Sequence, residues 1–208
     1  MKKIAALFAF IAVLLSAVPA LTSCASEADR REAAESAASL IEASLEINEI
    51  FYGKGLPQSD ADSDDSRRFA DENGLDVNAV SYLPVSAECT YKSIQDIKVA
   101  AEKVYSSAYC AQLFKVGFEG FSNDEGTRAV YARYMEDESG TLVVRSDLSD
   151  TGIPLDRTFD TDTIKVKKLK SNTAVISVDS FLNGEKSDTL ELTMVRQDGQ
   201  WRLDTPTY

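Results

Sequence analysis

Residues 163–203 read TIKVKKLKSNTAVISVDSFLNGEKSDTLELTMVRQDGQWRL and decide the fold of the second half of the chain. Apolar and polar side chains alternate along most of this stretch, which is typical of half-buried β-strands. Asn183-Gly184 and Asp198-Gly199 interrupt the alternation, and both pairs favour two-residue hairpin turns. The pattern therefore predicts an antiparallel meander with strands at 163–169, 173–181, 189–195 and 201–203.

A further hairpin is predicted upstream of this meander. Residues 128–135 and 141–145 are rich in aromatic and β-branched side chains, and Glu138-Ser139-Gly140 supplies a turn between them. Residues 80–90 favour an extended segment, and Pro84 places it at the edge of a sheet because proline cannot donate a ladder hydrogen bond.

A long helix is predicted at the start of the domain. Between residues 26 and 51, small and apolar side chains recur at steps of three and four. Ser26 followed by Asp29 can form an N-terminal capping box, and Gly53 with Pro57 supplies the stop.

Ser93 and Asp96 form a second capping box, which begins another helix. Residues 109–116 either continue that helix or form a short third one. Helices that precede an antiparallel meander indicate an α+β fold, with the N-terminal helices packed on a curved sheet.

The first residues are typical of an export signal. Lys2 and Lys3 supply positive charge, residues 4–18 form an apolar stretch too short to cross a bilayer comfortably, and Leu21-Thr22-Ser23-Cys24 matches the lipobox of bacterial lipoproteins. The alternatives are an ordinary signal peptide with an incidental cysteine, or an uncleaved anchor. We expect cleavage before Cys24 and lipid on its thiol, which anchors an extracytoplasmic domain to the cell membrane.

The mature chain is expected to form one domain. Residues 1–23 are the signal, and residues 24–208 are enough for one well-formed core. Within them we predict the N-terminal helix at 27–52, an acidic loop region at 58–79, and a helix plus β-meander at 80–208.

Charge and composition exclude several functions. The chain has 22 basic and 34 acidic residues, so that removal of Lys2 and Lys3 leaves a mature charge of −14. Such a chain should be repelled by nucleic acid and by anionic lipid head groups, and a charged partner should be basic. The absence of histidine removes the usual general base and the commonest zinc ligand. We therefore predict a non-catalytic protein without a metal or cofactor.

Two cysteines remain beyond the lipobox, at Cys89 and Cys110. An oxidising location would allow a disulfide between them, which would stabilise the fold by about 3 kcal/mol in the chain-entropy model. The alternative is a pair of thiols that pack as small apolar groups.

The longest irregular stretch in the strand half is predicted at residues 147–162. It concentrates negative charge against one Arg157, and long loops of this kind are often functional or simply mobile. Its aspartates are the candidate partner-binding residues: Asp147, Asp150, Asp156, Asp160 and Asp162.

Gly199-Gln200-Trp201-Arg202-Leu203, at the end of the predicted meander, resembles the last strand of the NTF2-like cone fold. Residues 91–98, 104–109 and 201–208 bear a closer resemblance to lipoproteins of Gram-positive bacteria, which are similar to the IseA-type inhibitors of peptidoglycan DL-endopeptidases. This resemblance implies a domain that occupies the cleft of a hydrolase without catalysing a reaction.

The resemblance leaves other functions open. One is a plain surface-binding module of the cell envelope, and another is an NTF2-like domain that binds a small molecule. An enzyme of that fold could use an aspartate with a tyrosine, such as Tyr131 or Tyr134. Strand alternation, however, places those two side chains on opposite faces.

Overall fold

The computed structural model describes residues 26–59, 82–122, 129–148 and 156–208. Within them the chain has the predicted α+β composition, with helices followed by open antiparallel sheets. Most of the predicted acidic loop region, 58–79, and the whole signal segment with Cys24 lie outside the described residues. No helix in the described ranges is long and apolar enough to cross a membrane.

The helices are α1 (Glu27–Phe51), α2 (Ile94–Val104) and α3 (Ser107–Phe114), and a π-helical turn (Lys115–Glu119) follows α3. The first five strands are β1 (Tyr82–Pro84), β2 (Phe121–Ser122), β3 (Ala129–Val130), β4 (Tyr134–Glu136) and β5 (Leu142–Arg145). The long strands then follow as β6 (Arg157–Leu169), β7 (Thr173–Leu182), β8 (Glu185–Gln197) and β9 (Gln200–Leu203).

Both predicted capping boxes are present. The backbone N–H of Asp29 donates to Ser26 Oγ at 3.1 Å, and the Asp29 carboxylate accepts the Ser26 N–H at 2.9 Å. Ser93 and Asp96 make the same reciprocal pair at the start of α2. Of the two alternatives for residues 109–116, the structure has the short third helix, because Ser106 begins α3 with its own cap.

The predicted meander is confirmed as a four-stranded antiparallel sheet with the order β6-β7-β8-β9. Asn183 and Gly184 have φ of 53° and 79°, and Asp198 and Gly199 have φ of 50° and 79°. Two successive positive φ angles are what a type I′ hairpin turn requires, and they match the right-handed twist of the flanking strands.

The remaining strands do not join this sheet, which corrects the prediction of one continuous curved meander. They form a three-stranded sheet, β1-β5-β4, and a two-stranded sheet, β2-β3. The strand predicted at 128–135 is broken between β3 and β4 because Arg133 turns its side chain toward the end of α1, where it bonds the Ile50 and Gly53 carbonyls. The extended segment near Pro84 is the predicted edge strand, β1.

One cluster of buried side chains extends from α1 to β9. Ala33, Ala37 and Ile41 line the buried face of α1, where small residues allow the helix to lie close to the sheet. The sheet contributes alternate residues to the same cluster, including Ala174, Ile176, Leu192, Met194, Trp201 and Leu203. At the β9 edge, the Ser106 N–H donates to the Leu203 carbonyl at 2.7 Å, so the junction of α2 and α3 covers the last strand.

Candidate partner-binding surfaces

The structure describes four of the five predicted aspartates, and they lie in or beside strands of two different sheets. Asp147 follows β5 and binds Arg145 through both carboxylate oxygens, at 2.6 and 3.1 Å. Asp156 immediately precedes β6, whereas Asp160 and Asp162 lie within that strand. Asp150 lies outside the described residues. The four described side chains therefore do not belong to one loop.

The predicted irregular stretch was wrong in its second half, because β6 begins at Arg157 instead of residue 163. Arg157 lies opposite Leu182 and Asp160 opposite Asp179, so that β6 is paired well before the region of clear alternation. A register shift between Asp160 and Lys165 separates the two paired parts. Such an irregularity obscures the two-residue period in the sequence.

We call Asp156, Asp160 and Asp162 the β6 acidic segment. Its neighbour across the strand pair is Asp179, whose carboxylate accepts hydrogen bonds from Lys186 Nζ and from Thr189 Oγ1. The hydrogen bond from Lys186 is the main cause that lowers the pKa of Asp179. Lys186 thus offsets the charge of Asp179, and the negative charge of this face comes from the β6 acidic segment itself.

Two surface grooves flank β9, and the sequence analysis did not predict them. One of about 450 Å³ lies between α1 and β9, lined by residues that include Glu32, Glu35 and Trp201. The other, of about 410 Å³, lies beside the junction of α2 and α3 and includes Glu102 and Asp198. The Asp198-Gly199 turn and the Gly199-Gln200-Trp201-Arg202-Leu203 motif lie near them in the sequence, but neither predicts a groove, because grooves depend on packing between distant segments.

Arg202 lines both grooves. Its Nε donates to the Glu102 carbonyl at 2.7 Å, and its Nη2 donates to Gln200 Oε1 at 3.0 Å. These bonds fix the guanidinium between α2 and β9. Arg202 therefore supplies a positioned cation in a region otherwise bordered by carboxylates.

Trp201 forms the apolar part of the α1–β9 groove. The Arg196 guanidinium lies over the indole ring at 4.7 Å from its centroid and also binds Glu32 at 2.6 Å. The indole is 5% exposed, and its Nε1 has no hydrogen-bond partner among the described residues. As predicted, the ring is buried together with Leu203, so most of it belongs to the core.

The two cysteines are free thiols in the structure. Cys110 is buried in α3, where burial raises the pKa of its thiol to about 12, and its Sγ lies 3.7 Å from the Tyr105 carbonyl oxygen. Cys89 is half-buried in the segment before α2. This arrangement corresponds to the alternative of two packed thiols. The candidate disulfide stays a prediction, which counting the free thiols of the protein would test.

The tyrosine hydroxyls of the interior hold the fold together. The Tyr105 hydroxyl donates to Asn48 Oδ1 at 2.8 Å and lies 2.9 Å from Thr207 Oγ1. The Tyr134 hydroxyl donates to the Ile50 carbonyl at 2.8 Å, and burial raises its pKa to about 12. Tyr131 is 44% exposed and Tyr134 is fully buried, but the strand is broken between them, so strand alternation does not account for their different surroundings.

The described residues thus form an open α+β protein with polar grooves at one sheet edge. They contain no cluster of three or more carboxylate or cysteine side chains that could hold a metal ion. The chain matches no protein-family model, and no curated protein matches it. Functional inference about it therefore starts from its own residues.

Proposed function

We propose that this chain is a lipid-anchored, non-catalytic binding module of the bacterial cell envelope that inhibits a peptidoglycan DL-endopeptidase. In this proposal the domain is of the IseA or NTF2-like type, the lipid is attached to Cys24, and the domain lies outside the cytoplasm. The observation that carries the proposal is the absence of any carboxylate among the buried side chains of the described residues, combined with charged surfaces on the sheet.

The chemistry of the buried polar groups supports a binding role. In the described ranges the buried polar and charged side chains are Ser44, Asn48, Ser106, Arg133, Ser177, Ser180 and Thr207, and no carboxylate is among them. Asn48, Ser44 and Thr207 bond to each other or to Tyr105, and Arg133 bonds to backbone carbonyls. Groups held in this way support the fold and leave no buried carboxylate to act as a general base.

The β6 acidic segment supports a basic partner. Asp160 lies opposite Asp179 on the sheet, and Asp156 and Asp162 are exposed. A cleft that contains a cysteine–histidine pair can present positive charge, and complementary charge accelerates encounter between two proteins. The association would then weaken with salt, because steering is screened over about 8 Å at physiological ionic strength.

The proposal is tested by inhibition of a DL-endopeptidase from the same organism. We expect inhibition by the wild-type domain at micromolar concentration or below, and weaker inhibition by the triple variant Asp156→Asn, Asp160→Asn, Asp162→Asn, mainly through slower association. The matched control removes the same charge elsewhere, at exposed positions: Glu42→Gln, Glu88→Gln, Glu138→Gln. Circular dichroism verifies that both variants fold.

The outcomes separate the inhibitor from the contact surface. No inhibition by the wild-type domain would reject the inhibitor proposal. Equal loss of inhibition in both triple variants would show that the effect depends on net charge and not on the β6 acidic segment. If the β6 triple variant still inhibits and the control variant does not, the contact lies on another surface. The β9 grooves are then the next region to test.

A second candidate function is binding of a small molecule in the α1–β9 groove. Its volume of about 450 Å³ is in the range of ligand sites, and Trp201 gives it an aromatic wall. Trp201 is the one tryptophan of the chain, so all indole emission comes from the ring that lines this groove. Titration with soluble muropeptides would support this function by a saturable change in emission, and a flat titration would count against it.

A further inference from the structure

One segment of this acidic chain carries a net positive charge. Between residues 163 and 184 there are four lysines, Lys165, Lys167, Lys168 and Lys170, and a single acid, Asp179, in a chain whose net charge is −12. The Asp179 carboxylate is already bound to Lys186 and Thr189. Within this segment Asp179 is the one opposing charge, and it attracts Lys165 as well as Lys186.

The four lysines share one edge of the four-stranded sheet. Lys165, Lys167 and Lys168 lie on β6, the edge strand, Lys170 directly follows its last residue, and all four are exposed. Ile164, Val166 and Leu169 pack against the core between them, and a register shift between Val166 and Lys168 adds Lys167 to the exposed set. None of the four side chains makes an ion pair or hydrogen bond with another described residue. We call these four residues the lysine edge.

Lysines on an edge strand also protect it from pairing with another chain. That role explains charge on an exposed edge, but it does not explain the position of this edge relative to α1. Arg30 of α1 donates from Nη1 to the Val166 carbonyl at 3.1 Å, in the middle of the lysine edge. The start of α1 and the lysine edge are therefore joined.

This junction is close in sequence to the predicted lipid. Ser26 lies two positions after Cys24, and an extended chain reaches at most about 3.5 Å per residue. The first turn of α1 carries Glu27 and Asp29, while Glu32 and Glu35 are bound to Arg196 and Arg31. The four lysines and Arg30 carry five positive charges, and Glu27 and Asp29 carry two negative charges. Together these residues have a charge of +3.

We propose that the lysine edge docks on anionic phospholipid head groups of the membrane that holds the Cys24 lipid. This inference rests on the proposed lipid anchor. The mature chain as a whole is negative, but exposed charges more than about 8 Å away are largely screened at physiological ionic strength. The lysines nearest the membrane therefore decide the local interaction, and juxtamembrane basic clusters are attracted to anionic lipid.

Docking at this edge would orient the domain. The β6 acidic segment lies toward the other end of the same strand, from Asp162, about 10 Å before Lys165 at the usual strand rise, back to Asp156, which precedes β6. The basic end would face the lipid and the acidic end would face away from it. The β9 grooves lie at the other edge of the sheet, where the membrane would not cover them.

The experiment measures lysine reactivity in the intact lipidated protein. The protein is reconstituted into vesicles of phosphatidylcholine alone, or with about 30% phosphatidylglycerol, and labelled with a water-soluble amine reagent before mass spectrometry. Lys103 and Lys115, exposed on or beside other helices, serve as internal references. In the anionic vesicles we expect the lysines of the lysine edge to react at about one third of their rate in phosphatidylcholine vesicles, or more slowly still. This difference should disappear in about 0.5 M salt.

Two variants with equal charge changes complete the test. Lys165→Glu with Lys168→Glu should abolish the protection of Lys167 and Lys170, whereas Lys103→Glu with Lys115→Glu should preserve it. Anchored protein whose lysine edge reacts equally in both vesicles would overturn the docking and leave the anchor intact. Protein that carries no lipid on Cys24 would overturn the anchor, and the docking with it.

Discussion

Arg133 Nε donates a hydrogen bond of 3.0 Å to the carbonyl oxygen of Ile50, at the last turn of α1. A second nitrogen of the same guanidinium binds the Gly53 carbonyl. The last turn of α1 contains no basic residue of its own, and the terminal carbonyls of a helix lack partners within it. A residue some 80 positions later in the chain therefore caps the helix and opposes its dipole.

Replacement of this cap should destabilise the fold. Arg133→Met retains apolar length but leaves two carbonyls without their charged donor, and we expect a loss of about 2 to 4 kcal/mol in the free energy of unfolding. Urea unfolding followed by Trp201 fluorescence measures it. Arg31→Met is the control, since Arg31 makes an exposed ion pair with Glu35 and its replacement should leave the urea midpoint almost unchanged. Equal effects of the two replacements would contradict the capping role.

Trp201 should be a major contributor to stability, because its indole is buried with Leu203 between the sheet and α1. Trp201→Ala removes a large side chain from a packed site, and we expect a cost of about 3 to 5 kcal/mol. Circular dichroism follows the unfolding, since the variant lacks tryptophan. Trp201→Phe should recover part of the loss. An unchanged urea midpoint for the alanine variant would mean that the ring serves the groove and not the core.

The buried tyrosines predict a loss of stability at alkaline pH. Burial raises the pKa of Tyr105 and of Tyr134 from about 10 to about 12. Between these values the unfolded chain releases a proton that the folded protein retains, so the free energy of unfolding falls as pH rises. Each tyrosine should contribute about 1.4 kcal/mol per pH unit in that interval and nothing below it.

Urea midpoints between pH 9 and 11.5 measure this slope. Tyr105→Phe should reduce the slope, although it also lowers stability at neutral pH by removing bonds to Asn48 and Thr207. Tyr131→Phe, at an exposed ring, should change the slope far less. Identical slopes for all three proteins would argue against proton retention by Tyr105.

The cysteines should behave as two thiols of unequal reactivity. Cys110 is buried and the pKa of its thiol is raised to about 12 by burial, so little of its reactive thiolate forms at neutral pH. We expect Cys89 to react first with a maleimide in the native protein, and both to react after unfolding without reductant. Mass spectrometry counts the adducts. No adduct at either position would establish the disulfide instead.

Lipid attachment makes a direct prediction for Cys24, because its thiol alone can accept the diacylglyceryl group before cleavage. Cys24→Ala should abolish incorporation of radiolabelled lipid and leave an unprocessed precursor. Cys89→Ala is the matched control and should be labelled like the wild type. Equal labelling of the Cys24 variant would refute the anchor.

The sequence by itself determined the elements that depend on local interactions. The capping boxes of Ser26 and Ser93 lie within four residues of their partners, and Asn183-Gly184 and Asp198-Gly199 fix their turns through backbone conformations that few other residues adopt. The alternation after residue 163 likewise placed the inner and outer faces of the long strands. Each of these signals lies within a few consecutive residues, so it predicts its element without knowledge of the rest of the fold.

Only the tertiary structure decided how the elements combine. Arg133 leaves its strand to cap α1, β6 extends back to Arg157 because β7 offers a partner, and the predicted acidic loop is divided between two sheets. Contact between Arg30 and Val166 joins the start of the domain to the lysine edge across 136 residues of chain. Such relationships depend on pairings between distant segments, whose free energy comes from burial and hydrogen bonding that no local pattern encodes.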